Sequence, residues 1–133
     1  MADLGEVSSY DIAMAAPGGE SQAPGFVLDA RETMLAIVGD LRAGAAAATV
    51  AARFHNGVAR ATAEACARAA EAEGTGVVAL SGGVSQHRLL AERTVAALSG
   101  RGLTVLMPEQ LPPNDGGISY GQAAAAAARL AGV

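Results

Sequence analysis

Apolar positions follow two different rhythms along this chain. From residue 29 to residue 73 they recur at helical intervals, and from 75 to 107 two short unbroken apolar runs flank another helical stretch. In the first region Met34, Leu35, Val38 and Leu41 share one helical face. Asp29-Ala30-Arg31-Glu32 before them has the form of a capping box, and Gly44 marks the end. A longer helix is expected from about Ala46 to Glu73, with Val50, Phe54 and Val58 on a stripe that continues through Thr62, Cys66 and Ala70. Arg53, Arg60, Glu64, Arg68, Glu71 and Glu73 give it a polar side, and Gly74 stops it.

The second region begins with Val77-Val78-Ala79-Leu80, a run that suits a strand covered on both faces. Ser81-Gly82-Gly83 follows, and a helix is expected from Val84 to about Leu98, closed by Ser99-Gly100-Arg101-Gly102. Leu103-Thr104-Val105-Leu106-Met107 is the second strand, ended by Pro108, so the unit is β-α-β with parallel strands. Leu111-Pro112-Pro113-Asn114-Asp115-Gly116-Gly117 then leads into a last helix, from Gly117 or Ile118 to about Leu130, with a smooth run of alanines. Residues 1–25 form an irregular N-terminal segment. It holds a short candidate strand at Tyr10–Met14 and a Pro17–Gly25 loop, and Phe26–Leu28 is expected to return as the other half of a hairpin. Residues 26–133 make up the main α/β unit.

Composition narrows the function. The 133 residues fit one domain, 51% apolar but 3% aromatic, so the core is built from Ala, Val and Leu. A net charge of −4, with nine basic residues scattered along the chain, argues against a nucleic-acid surface. The single cysteine, Cys66, reads as a small packing residue. No run reaches membrane-spanning length, and Met1–Glu6 lacks the form of a signal peptide. A cytoplasmic location without a membrane partner is expected.

Candidate chemistry lies at two places. A strand, a glycine corner and a helix start can present free backbone N–H groups to a phosphate, although Gly82-Gly83 also suits any turn that needs residues without Cβ. The corner lacks the lysine of a P-loop and the spacing of a dinucleotide fingerprint. Asp115, in Asn-Asp-Gly-Gly, reads first as a turn with a helix N-cap. Its second reading is a carboxylate on the crevice side of an open α/β sheet, where it could hold a metal beside a nucleotide. His55, in mid-helix, reads as a packing residue, and His87 is the only other histidine.

Taken together, Val78-Ala79-Leu80-Ser81-Gly82-Gly83-Val84, Gln86, Arg88-Leu89-Leu90, Leu111–Ser119 and Gly121-Gln122-Ala123 closely resemble the C-terminal end of the hydrogenase-maturation carbamoyltransferases, the HypF family. Ala51-Ala52-Arg53-Phe54-His55-Asn56 is similar to that family's long helix, and the resemblance covers about residues 26–131. It implies a single lobe of the actin-like ATPase (ribonuclease H-like) fold, a short parallel or mixed sheet packed with helices. In that family, two such lobes enclose an ATP-derived carbamoyl adenylate and pass the carbamoyl group to the C-terminal cysteine of an acceptor protein. By motif, Ser81, Gly82, Gly83 and position 87 would line the nucleotide site. Asp115 would be the metal-binding carboxylate, for a divalent Fe, Zn or Mg ion.

Two departures stand out. The family reads Gly-Gly-Val-Phe-Gln-Asn, whereas this chain has Ser85 and His87, so the nucleotide-contacting asparagine is an imidazole. The family's His-x-x-x-His pair, which belongs to the preceding lobe, has no counterpart here. Two functions are therefore expected. One is the second lobe of a carbamoyltransferase, incomplete alone and working with a separate first lobe. The other is a non-catalytic assembly module that forms a homodimer or joins such a lobe.

Overall fold

A computed structural model of the chain describes residues 2–15 and 25–132. The N-terminal segment runs along what becomes the longest helix, with Asp3 N donating to Ala48 O (3.1 Å) and Tyr10 N to Arg53 O (3.2 Å). Strand β1 (Ala13–Ala15) then pairs antiparallel with β2 (Val27–Asp29), Met14 opposite Leu28. This is the expected hairpin, shifted toward the C-terminus because Tyr10 is already committed to the helix. All of the expected Pro17–Gly25 loop except Gly25 lies outside the described residues.

Helix α1 (Arg31–Arg42) follows, and the capping box does not form. Its N-cap is Ala30, without a side-chain bond. Asp29 instead accepts from Arg31 N (3.0 Å) and takes that residue's guanidinium on both carboxylate oxygens. The apolar face of α1 also differs from expectation. Met34, Leu35, Val38 and Leu41 are 47, 64, 43 and 50% exposed, and the residue buried on this helix is Thr33. The Thr33 hydroxyl donates to Asp11 O, which turns that side of the helix inward.

Helix α2 (Ala47–Glu73) ends at Gly74, whose left-handed backbone (φ 65°) lets Thr75 N reach back to Ala70 O (2.9 Å). Its buried positions are small: Ala52, Gly57, Ala59, Ala61, Ala63 and Ala70, with Val50. A Cβ on Gly57 would lie 2.5 Å from Tyr10 O, so this glycine is the notch that seats the N-terminal segment. The alanine-rich side of α2 packs closely on α3 (Arg88–Ser99), the most extensive contact between elements, and Leu98 of α3 is fully buried.

Strand β3 (Val77–Ala79) and β4 (Thr104–Leu106) are parallel, Val78 opposite Val105, with α3 between them in the chain. The β-α-β unit is therefore as expected, although each strand is shorter than its apolar run. Val78 and Val105 are half-buried, whereas Val77 and Leu106 are exposed on the sheet's other face. Parallel sheets are ordinarily covered on both faces. The last helix, α4 (Ile118–Leu130), has no buried residue, and among the described residues the turn before it is its one extensive neighbour. The result is α/β, a single lobe with two short sheets and helices. Among the described residues no helix is long and apolar enough to cross a membrane.

Candidate functional site

The ladder of β3 and β4 continues one residue beyond the strands, where Leu80 N donates to Leu106 O (2.9 Å). The chain then turns at Gly82, with φ 90° and ψ 160°, a region essentially reserved for glycine. This conformation aims Gly82 N at Pro113 O (2.6 Å), and Ser81 Oγ donates to the same carbonyl (3.3 Å). Ser85 closes the corner from behind, its hydroxyl donating to Ser81 O (2.9 Å) and its N–H to Gly82 O (3.1 Å).

On the other side of that bond the Pro112–Gly117 loop is tightly folded. Asn114 Oδ1 accepts from Gly116 N (3.0 Å), and Gly117 N donates to Asn114 O (3.0 Å). A Cβ at Gly117 would lie 2.7 Å from Pro112 O, so the second glycine is sterically required. The cap expected here exists, but Asn114 provides it, which leaves the Asp115 carboxylate exposed.

Ser81, Gly82 and Asp115 thus line one hollow of ≈ 400 Å³, together with Pro112, Ile118 and Tyr120 from the loop and the root of α4. Gly83 and His87 do not line it. Instead of a continuous helix from Val84, the chain makes a single 3₁₀ turn (Gly83–Gln86) and breaks at His87. There the imidazole Nδ1 accepts from Leu90 N (3.4 Å) and caps α3. His87 faces away from the hollow's residues toward His55, and the two rings stack with centroids 4.7 Å apart. The start of α3 therefore does not line the hollow, and the helix that begins on its wall is α4.

Its electrostatics limit what it can hold. Among the described residues Asp115 is the one charged side chain on the wall, and no Lys or Arg is present there to neutralise a polyphosphate. A single carboxylate does not fit a tightly held divalent ion, and among the described residues no three His, Cys, Asp or Glu side chains gather to add ligands. Pro112, Ile118 and Tyr120 beside the Ser81 hydroxyl suit the uncharged part of a ligand, a flat ring or a sugar. Pro113 and Tyr120 escaped the sequence reading. A carbonyl carries no sequence signal, and Tyr120 joins the site only because the loop returns α4 beside the corner.

The profile described as Carbamoyltransferase, Kae1-like Domain, second subdomain, matches residues 5–122. Carbamoyltransferase HypF of Rhizobium leguminosarum bv. viciae is 43% identical over 108 residues, which are 80% of this chain and 14% of that protein. A Carbamoyltransferase HypF homolog of Cupriavidus necator is 38% identical over 104 residues, 76% of this chain and 26% of its own length. Full-length HypF, solved in a phosphate- and nucleotide-bound form, superposes with a TM-score of 0.77 at 31% identity, covering 87% of this chain and 15% of that one. HypF of T. kodakarensis superposes with a TM-score of 0.70 at 25% identity, over 95% of this chain and 16% of that one.

Proposed function

The chain belongs to the HypF carbamoyltransferase family, matching the second subdomain of its Kae1-like domain, and from that premise we propose that it forms one wall of a carbamoyl-transfer chamber whose other wall is a first lobe. One observation carries this reading. The Pro113 carbonyl, held by Gly82 N and Ser81 Oγ, draws two motifs about thirty residues apart into a single hollow. The hollow is open, and α4 leaves it with no buried residue and, among the described residues, no extensive contact beyond its own turn. A lobe that needs a second lobe to close its site would have this form.

In this reading the hollow faces the adenosine end of a carbamoyl adenylate. Tyr120, Ile118 and Pro112 offer apolar contact, and the Ser81 hydroxyl offers a hydrogen bond. The acceptor cysteine attacks the carbamoyl carbon as its thiolate, its proton already lost to solvent; a C–S bond forms, and the C–O bond to the adenylate phosphate breaks with AMP as leaving group. The phosphate and any divalent ion (Fe, Zn or Mg) depend on groups from the first lobe, because this wall offers only Asp115. No step is assigned to a metal on this chain.

Mixing the chain with a first-lobe polypeptide of the family, with carbamoyl adenylate supplied and a cysteine-ending peptide as acceptor, is expected to produce thiocarbamate that neither lobe makes alone. No gain on mixing would remove the proposal. A second reading, a non-catalytic module assembling as a homodimer or with a first lobe, is favoured by the exposed apolar face of α1 and the bare outer face of the β3–β4 sheet. Sedimentation of the isolated chain separates the two. A stable dimer without any ATP-induced rise in melting temperature supports the module.

A further inference from the structure

The nine basic residues are all arginines, scattered in sequence, but the fold gathers three of them at one place. Arg60 and Arg68 stand about two turns apart on α2, and Arg101 comes from the turn between α3 and β4. They line a hollow of ≈ 280 Å³ between α2 and residues 11–14. It shares no lining residue with the hollow of Ser81 and Asp115, and carbamoyl transfer as proposed above does not use it.

Glu64 lies one turn from each of the α2 arginines, and its two oxygens are divided between two partners. Oε1 accepts from Arg68 Nε (3.1 Å) and Oε2 from an Arg101 Nη (3.3 Å), while Arg60 pairs with Asp11 (2.5 Å). Among the described residues the wall therefore carries three guanidiniums and two carboxylates, and one positive charge is unmatched. Arg68 first, and then Arg101, hold Glu64 below the usual carboxylate range. Donors are left over as well. Among the described residues neither Nη of Arg68 nor Nε of Arg101 meets a protein acceptor. The side chains of Arg60, Arg68 and Arg101 are 53, 57 and 34% exposed, so a ligand reaches these donors from solvent. Exposed ion pairs of this kind hold weakly, and Glu64 can yield its share to a competing anion.

A guanidinium is a flat fork that fits two oxygens of one anion, which favours oxyanions over halides. A carboxylate has only two oxygens and is satisfied by one fork, whereas forks from α2 and from the α3–β4 turn can divide the oxygens of a tetrahedral group. We propose that Arg60, Arg68 and Arg101 form a binding site for the phosphate group of a small molecule. The hollow's size admits such a group, and Glu64 is its built-in competitor.

The test is inorganic phosphate titrated at constant ionic strength into the ¹⁵N-labelled 133-residue chain, followed through the arginine Nε–H resonances, with chloride and acetate as controls. Phosphate is expected to give saturable shifts at Arg60, Arg68 and Arg101, and the controls none. Arg68→Gln and Arg101→Gln should each weaken phosphate at least fivefold. Glu64→Gln should tighten it at least threefold, a gain that the loss of a merely structural ion pair would not produce. Asp115→Asn should leave it unchanged, so the outcome here is separate from that of the two-lobe mixing experiment. Absence of saturable shifts, an equal response to acetate, or weaker binding in Glu64→Gln would each overturn the proposal. So would a glutamate-rich peptide that shifts these arginines where phosphate does not.

Discussion

Two adjacent glycines show how much one residue's backbone decides. Gly82 and Gly83 look interchangeable as letters, and a Cβ would meet nothing within 4 Å at either. Only Gly82 has a positive φ, and that conformation carries the bond to Pro113 O. Gly82→Ala should therefore cost about 1–3 kcal/mol by backbone strain alone. Gly83→Ala should stay within about 0.5 kcal/mol of the parent, and urea unfolding of both variants checks the contrast. Single carboxylates are equally local. Asp29 is lowered from 3.8 to about 2, first by hydrogen bonds from the Arg31 guanidinium. Glu6 is lowered chiefly by the Ser8 N–H, Asp40 by the Tyr10 hydroxyl, and Glu64 by Arg68. Each is more acidic folded than unfolded, so its stabilisation is full above the ordinary carboxylate range and fades as pH falls through the folded value. Melting temperature should thus drop on acidification from pH 4 toward about 2 for Asp29, and Asp29→Asn should make that decline shallower. The sequence pointed to the Asp29 position but gave it the wrong partner, because a guanidinium two residues away outcompeted a backbone N–H three away.

At the scale of elements, α2 is both the most readable and the most informative. Its length and its Gly74 stop follow from periodicity and from the left-handed backbone that glycine alone adopts cheaply. Which of its faces lies deepest did not follow. Phe54, Val58, Thr62 and Cys66 of the apolar stripe are only half-buried, and the fully buried positions are mostly alanines and a glycine that allow α3 and the N-terminal segment to come close. Helix α1 misled in the same manner, since Thr33 turns inward through its hydroxyl while four larger apolar side chains stay exposed. Gly57→Ala tests this account through its sign. In an ordinary helix interior the change stabilises by up to about 1 kcal/mol. Here the new methyl meets Tyr10 O, so destabilisation of about 1–3 kcal/mol is expected in chemical denaturation. Leu98→Ala, at the fully buried contact of α3, should cost about 2–5 kcal/mol.

For the whole molecule, α4 is the element on which the two-lobe reading turns. Thirteen residues with none of them buried make a marginal helix in water, so its amides should exchange with deuterium far faster than those of α2 and α3 in the isolated chain. Addition of a first lobe should slow α4 selectively, as mass spectrometry would register. That the glycine corner and the Asp115 loop face one hollow was readable in advance, because strand ends of an α/β sheet converge on one edge. The bond through Pro113 was not, since only the folded backbone brings that carbonyl within reach. The notch at Gly57 reaches into biosynthesis as well. Residues 3–10 find backbone hydrogen-bonding partners at 48 and 53, so on the ribosome they wait through some forty further residues, roughly 2–8 s at ordinary elongation speeds. For that interval Tyr10, later among the best shielded side chains, is bare to solvent and to chaperones.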